Sequence, residues 1–180
     1  HHALVEARPG LRIVDAEAGI AGLRLRKTAE EVAAMEDAIR ISEAALEEVL
    51  QDIRAGQTEM EIERALIQTF FRHGAEALAF HPIVAAGTNS ARPHATARAD
   101  YAVRPGDALL FDFGARSGGF CADITRTVFV DHCTDDAAEI YETVLDANRK
   151  GHEVTRPGLT AHAVVDAVTG VLEASPSAGR

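Results

Sequence analysis

Two aspartates, Asp112 and Asp123, lie in stretches whose other residues are typical of β-strands. The stretches read ALLFDFGA and GFCADITRTVFV, rich in β-branched and aromatic residues, and RSGG joins them. Strand-forming runs separated by a short glycine-containing stretch predict an antiparallel hairpin. If the turn falls at RSGG, the two carboxylates come from neighbouring strands and approach each other across the pair.

Two carboxylates so close repel each other, and burial among strand residues raises the cost of keeping both ionised. One or two divalent cations would compensate, because carboxylate oxygens are natural ligands of hard or borderline metal ions. In the alternative, one aspartate pairs with Arg116 or Arg126 and the other faces water. The hairpin alone leaves both interpretations open.

His94 is a second residue that could do chemistry. It follows GTNSARP, a loop expected near the sheet edge. A loop histidine among small residues suits a substrate contact or an acid–base role, but on its own the pattern favours an exposed residue without a role. His81, which precedes Pro82 in a predicted strand, is expected to pack or to form a partly exposed wall.

Helices that precede and follow the strands in the sequence must position these residues. Thr28 and Glu31 form a capping-box pattern, and apolar residues at helical spacing behind them predict a helix over about 28–54. Thr58 begins a second predicted helix, which ends at Gly74.

The central and last parts of the chain complete the pattern. LAFHPIVAAG predicts a strand before the hairpin. Two more helices are predicted over about 134–152 and 160–174, separated by RPG. Helices, then strands, then helices favour an α+β fold with a mostly antiparallel sheet.

The composition excludes several classes of protein. The chain has 180 residues and a formal net charge of −10. An acidic chain of this kind is a poor partner for nucleic acid or for an anionic membrane. No apolar run approaches the roughly 20 residues that span a bilayer. Two cysteines without a CxxC motif give no disulfide framework, so a cytoplasmic location is expected.

Most of the chain resembles a known family. The stretch AAGTNSARPHATARADYAVRPGDALLFDFGARSGGFCADITRTVFV is similar to the first half of the catalytic domain of the pita-bread metallopeptidases. These include X-prolyl aminopeptidases, X-prolyl dipeptidases (prolidases), methionine aminopeptidases and the non-hydrolase creatinase. LRLRKTAEEVAAMEDAIRISEAAL resembles the first helix of that domain, and RPGLTAHAVVDAV a later turn and helix. The most specific part is DFG followed by DITRT at this spacing.

The resemblance implies a fold and a site. The fold would be an incomplete pita-bread domain, α+β, with a mostly antiparallel sheet and helices on one face. Members of the family hold two divalent metal ions, manganese, cobalt or zinc. Asp112 and Asp123 match two of their ligands, Asp123 the bridging one, and His94 matches a histidine that contacts the substrate. Such ions lower the pKa of a water molecule and polarise the scissile carbonyl.

The resemblance also implies a domain arrangement. Residues 1–24 would be a linker or the tail of an N-terminal domain, and residues 25–180 the first part of the catalytic domain. The remaining histidine and glutamate ligands would lie beyond residue 180, so that the chain is truncated at both ends. We therefore expect the chain to be inert alone and to hold metal weakly or not at all.

Within the family, an X-prolyl peptidase is favoured. The segment before the first long helix looks like a junction after a separate domain, and Ala95 follows His94 where methionine aminopeptidases usually carry glycine. The expected substrate is a small peptide with proline in the second position, and the expected assembly is a homodimer without nucleic-acid or membrane partners. A methionine aminopeptidase and a non-catalytic pita-bread binding module are the alternatives.

Overall fold

The computed structural model describes residues 14–175. Most of the segment predicted to be a linker or domain tail lies outside these residues. Its described part contains helix α1, Glu17–Leu25, which buries none of its residues. A role in joining another domain stays a prediction.

The two helices predicted before the strands are confirmed. Helix α2 spans Ala29–Asp52 and helix α3 spans Glu59–Arg72. Each begins with a complete capping box. The hydroxyl of Thr28 or Thr58 accepts the backbone N–H of the glutamate three residues later, and that glutamate's carboxylate accepts the backbone N–H of the threonine. These reciprocal bonds satisfy N–H groups that have no partner inside the helix.

Within residues 14–175, six short strands form two antiparallel sheets. One sheet has the order β1-β4-β5, and the other has the order β2-β3-β6. The strands are β1 Ala77–Leu78, β2 Ile83–Ala86, β3 Ala108–Phe113, β4 Ala115–Ser117, β5 Phe120–Cys121 and β6 Ile124–Phe129. The strand predicted over LAFHPIVAAG is therefore two strands. Pro82 lies in the gap between them, where its missing N–H costs no bond of the sheet.

The predicted hairpin is confirmed, and one register runs through both sheets. Phe113 lies opposite Ile124, and Ser117 lies opposite Phe120. The two-residue turn is Gly118-Gly119, with φ values of 57° and 80°. Positive φ at both positions is what a type I′ hairpin turn requires, and glycine adopts it without steric cost.

The core lies between helices α2 and α3 and the sheets. Helix α2 contacts β4 and β5, while α3 contacts β1 and β2. The ring of Phe70 on α3 packs against Phe113 on β3, with centroids 6.1 Å apart. The large apolar side chains that are fully buried are Phe70, Phe111, Phe113, Ile41, Ile62, Leu66 and Leu109.

The last two predicted helices are also confirmed. Helix α4 spans Asp135–Val154 and helix α5 spans Ala161–Ala174, and they pack on each other. Tyr141 on α4 meets Phe129 at the end of β6, with ring centroids 5.9 Å apart. Within residues 14–175, no helix combines the length and the apolar character needed to cross a membrane.

Candidate metal and substrate site

Asp112 and Asp123 lie on the two long arms of the hairpin. Asp112 on β3 faces Thr125 on β6, and the Thr125 hydroxyl donates to Asp112 Oδ1 at 3.1 Å. Asp123 directly precedes β6, two residues before Thr125, so the strand alternation places it on the same face as Asp112. Diagonal neighbours of this kind lie roughly 7–8 Å apart.

Gly114 explains how the hairpin arms come so close beside Asp123. A Cβ atom at position 114 would lie 1.8 Å from the carbonyl oxygen of Ala122. No side chain larger than hydrogen fits there without moving the strands apart. The G in DFG is therefore a packing requirement next to the second aspartate.

Helix α2 holds the far end of the hairpin in place. The hydroxyl of Ser42, buried in α2, donates to Ala38 and accepts the backbone N–H of Ala115 at 2.9 Å. Near the turn, Ser117 donates to Asp37 at 2.7 Å. These bonds fix the strands that carry the two aspartates against a helix of the core.

The two aspartates are less buried than their sequence surroundings predict. Asp112 is half-buried and Asp123 is exposed. The strand β3 alternates, with Leu109, Phe111 and Phe113 buried on the core side and Asp112 on the other. The expectation that both carboxylates are buried is wrong for this chain, because the face that carries them is open to water.

The arginine alternative is not observed either. Arg126 lies 3.5 Å from Glu43 and donates to the carbonyl of Thr125. Within residues 14–175, neither Arg116 nor Arg126 forms an ion pair with Asp112 or Asp123. The Asp123 side chain has no hydrogen bond or ion pair in this part of the chain, so its oxygens are available to a ligand.

The chemistry of the donor set fits a metal ion in part. Two carboxylates on one open face supply hard oxygen ligands that divalent cations prefer. Within the described residues, however, no group of three or more His, Cys, Asp or Glu side chains is arranged to hold a metal ion. Residues 14–175 therefore provide two carboxylates on this face and no complete metal site.

His94 is exposed on the loop that follows β2. Its φ of 53° lies in the left-handed region, which few non-glycine residues adopt. In the described chain, no hydrogen bond or ion pair joins His94 to either aspartate. His81 is also exposed, and its Nε2 lies 3.2 Å from Glu63 Oε1 on α3.

The sequence analysis did not identify a third carboxylate, Glu59, as a site residue. It is fully buried at the first position of α3 and accepts five hydrogen bonds, from Ala86, Asn89 and Arg98. An acidic residue in the first turn of a helix is ordinarily explained by the helix dipole. Its partner Arg98 lies 39 residues away, so no local pattern connects the two.

The electrostatics of this cluster favour the charged form of Glu59. Burial alone would raise the pKa of the Glu59 carboxyl, but hydrogen bonds from the Arg98 side chain and from the backbone of Ala86 and Arg98 outweigh it and lower the pKa. The same contact raises the pKa of Arg98. The pair is therefore a true ion pair at neutral pH.

The fold is that of the pita-bread metallopeptidases, and sequence comparison assigns the family. The profile of Metallopeptidase family M24 matches residues 33–179. Because this match covers most of the chain, the protein belongs to Metallopeptidase family M24. The prediction that the chain belongs to the pita-bread metallopeptidase family is thereby confirmed.

Curated relatives support the assignment. The chain is 37% identical over 142 residues to an Xaa-Pro dipeptidase of Pyrococcus furiosus, and the aligned region covers 79% of this chain and 40% of the relative. It is 38% identical over 138 residues to the uncharacterized peptidase YqhT of Bacillus subtilis, covering 77% and 39%. The chain therefore spans about two fifths of the length of these relatives.

Solved structures confirm the fold. The X-Pro aminopeptidase of Thermotoga maritima matches with a TM-score of 0.89 and 34% identity, over 96% of this chain and 49% of that one. The prolidase of Pyrococcus furiosus matches with a TM-score of 0.83 and 33% identity, over 87% and 46%. The α+β, mostly antiparallel architecture predicted from the sequence is that of these enzymes.

Proposed function

We propose that the protein containing this chain is a metal-dependent peptidase that cleaves small peptides next to a proline in the second position. The named relatives are Xaa-Pro dipeptidases and X-Pro aminopeptidases. The observation that carries the proposal is the open hairpin face on which Asp112 and Asp123 present carboxylates without cationic partners.

In this proposal Asp112 and Asp123 hold part of a pair of divalent metal ions, manganese, cobalt or zinc. When bound, such ions supply Lewis-acid polarisation of the scissile carbonyl and lower the pKa of water. The chain's own contribution is to fix the two carboxylates. The Thr125 hydroxyl orients Asp112, and Gly114 brings the strand that carries Asp123 close.

His94 is proposed to contact the substrate. Its exposed position in a loop that follows β2, and its left-handed backbone, suit a side chain that is presented to a ligand rather than packed. Homodimer formation and a cytoplasmic location remain part of the proposal. The cytoplasmic location is supported by the two cysteines, which are free and exposed.

These 180 residues alone are expected to be catalytically inert. Two carboxylates are too few ligands to hold a pair of metal ions tightly, and residues 14–175 offer no third ligand beside them. Isothermal titration of this chain with Mn²⁺ should therefore show weak binding or none. Tight binding would contradict this part of the proposal.

The activity is tested in the full-length protein. Cleavage of Ala-Pro and Met-Ala peptides is measured with and without Asp123→Ala. We expect preference for the proline peptide and a loss of activity of more than about a hundredfold in Asp123→Ala. Loss of a residue that hydrogen-bonds to a metal ligand typically lowers activity about 10–100-fold, and loss of the ligand itself should cost more. Glu43→Ala, an exposed carboxylate on α2, is the matched control.

The same experiment separates the alternatives. Preference for Met-Ala would indicate a methionine aminopeptidase. Absence of cleavage of both peptides by the metal-loaded wild type would indicate a binding module. Unchanged activity of the Asp123→Ala variant would overturn the role of Asp123 as a metal ligand.

A further inference from the structure

The buried carboxylate of Glu59 has no role in the chemistry proposed above, yet it organises one segment of the chain. Its Oε1 accepts the backbone N–H of Ala86 at 2.7 Å and Arg98 Nη2 at 2.8 Å. Its Oε2 accepts the side chain of Asn89 at 3.0 Å, and the backbone N–H and Nε of Arg98 at 2.8 and 3.0 Å. All five bonds go to residues 86–98.

These partners stand at the two ends of the loop that carries His94. Ala86 is the last residue of β2, Asn89 lies in the short 3₁₀ turn Gly87–Ala91, and Arg98 follows the loop. One carboxylate therefore ties the entry, the first turn and the exit of the segment to the start of α3. A loop with both ends fixed has far fewer conformations than a free one.

Two further bonds close the same loop. Asn89 donates to the carbonyl of Thr96 at 3.1 Å, and Arg98 Nη2 donates to the carbonyl of Ala86 at 3.1 Å. His94 lies between Asn89 and Thr96 in sequence, and its side chain is exposed. Its left-handed φ of 53° is kept only if the surrounding backbone is held.

Arg98 is itself supported from outside. Its guanidinium lies over the ring of Tyr101, 4.1 Å from the centroid, and the Tyr101 hydroxyl donates to Asp107 at 2.8 Å. Only 32% of the Arg98 side chain is exposed. The arginine is therefore fixed on two sides, which makes it a rigid partner for Glu59.

We propose that Glu59 is the positioning residue for His94, acting through the loop 87–97. The inference rests on the proposed function, in which His94 contacts the substrate. The negative charge is part of the proposal, because the two carboxylate oxygens together accept five hydrogen bonds. A glutamine at position 59 would replace one acceptor oxygen with an NH₂ group that points at donors.

The first test measures the loop itself, in this chain, with Glu59→Gln. Glu61→Gln is the matched control: it removes the same charge from the same helix turn, where Glu61 is exposed and bonds to Thr58. Hydrogen exchange of the amides of 87–97 should be about tenfold faster or more in Glu59→Gln and unchanged in the control. The NMR signals of His94 should shift only in Glu59→Gln.

Equal exchange of the loop in Glu59→Gln and in the wild type would overturn the inference. If Glu59→Gln does not fold, Arg98→Lys decides the question. A lysine keeps the charge but loses the planar fork that reaches both oxygens. The loop should again exchange faster while amides of the core strand β3 keep their protection. An unchanged loop in Arg98→Lys would likewise refute the role of the pair.

The second test uses a double-mutant cycle in the full-length protein. Glu59→Gln and His94→Ala are each expected to lower kcat/KM for an X-proline peptide, by about tenfold or more. If Glu59 acts through His94, the double variant loses little more than His94→Ala alone. Multiplied losses would show an independent, merely structural role. If the wild type cleaves no such peptide, the proposed function fails, and the exchange measurement alone decides on Glu59.

Discussion

Strand β2 connects two carboxylate sites that have opposite environments. At its end, the N–H of Ala86 donates to Glu59, which is fully buried and surrounded by donors. At its start, Ile83 pairs with Asp112, which lies on the open face of the hairpin beside Asp123. Glu59 has a cationic partner, Arg98, within the chain. In residues 14–175, Asp112 and Asp123 have no cationic side chain paired with them.

The difference shows what burial of a carboxylate requires. Glu59 is removed from water because the Arg98 side chain, the backbone N–H groups of Ala86 and Arg98, and the side chain of Asn89 replace its hydration. In residues 14–175, Asp112 accepts one hydrogen bond, from Thr125, and Asp123 accepts none, and both side chains remain in contact with solvent. The carboxylate of Glu59 thus has its partners within the chain, whereas the side chains of Asp112 and Asp123 face solvent.

The largest expected effect is a contrast in stability between the two sites. Glu59→Ala should lower the free energy of unfolding by about 3 kcal/mol, because it leaves a partly buried Arg98 unpaired. Asp123→Ala should change it by less than about 0.5 kcal/mol, since an exposed side chain without partners is removed. Urea unfolding of this chain measures both. Similar losses from the two substitutions would contradict the comparison.

A second prediction concerns the backbone that brings Asp123 close. Gly114→Ala should destabilise the chain by about 1–3 kcal/mol, because the new methyl group overlaps the carbonyl of Ala122 and forces the strands apart. Gly170→Ala on helix α5 is the matched control, as nothing lies within 4 Å of its added methyl. It should stabilise by up to about 1 kcal/mol. Equal effects would show that the close approach beside Asp123 is not required.

The sequence was sufficient for most of the fold because local signals agree with one another. Capping boxes at Thr28 and Thr58 place the helix starts, and the glycine pair at 118 and 119 places the hairpin turn. The division of the predicted strand at Pro82 was missed. Alternating hydrophobicity does not show that the two halves pair with different partners.

The site was predicted less completely. The hairpin register follows from the turn, so the neighbouring positions of Asp112 and Asp123 could be inferred. Their exposure could not, because it depends on what covers the outer face of the sheet. The Glu59–Arg98 pair joins residues that are distant in sequence and individually unremarkable, and only the tertiary structure brings them together.

A third prediction uses pH to isolate the contribution of the Glu59 carboxylate to stability. The folded-state pKa of Glu59 is lowered, so its contribution to stability is complete above the unfolded-state value and is lost as the pH falls below about 4.5. Glu59→Gln has no such contribution to lose. Between about pH 5 and pH 3, the wild type should therefore lose more stability than the variant. Parallel pH profiles in urea unfolding would show that Glu59 does not stabilise the fold through its charge.

The smallest effect on stability is expected on the hairpin face that carries Asp112 and Asp123. Thr125→Val removes the hydroxyl that donates to Asp112, but this bond is exposed and water can replace it. Valine also suits a strand, so the free energy of unfolding should change by less than about 0.5 kcal/mol. Thr127→Val, on the same strand, is the matched control. In the full-length protein, by contrast, Thr125→Val should weaken metal binding by about tenfold, because a group behind a ligand orients it. A loss of stability in this chain well above that of the control would mean that the hydroxyl of Thr125 belongs to the fold, and that the two carboxylate sites differ less than their exposure indicates.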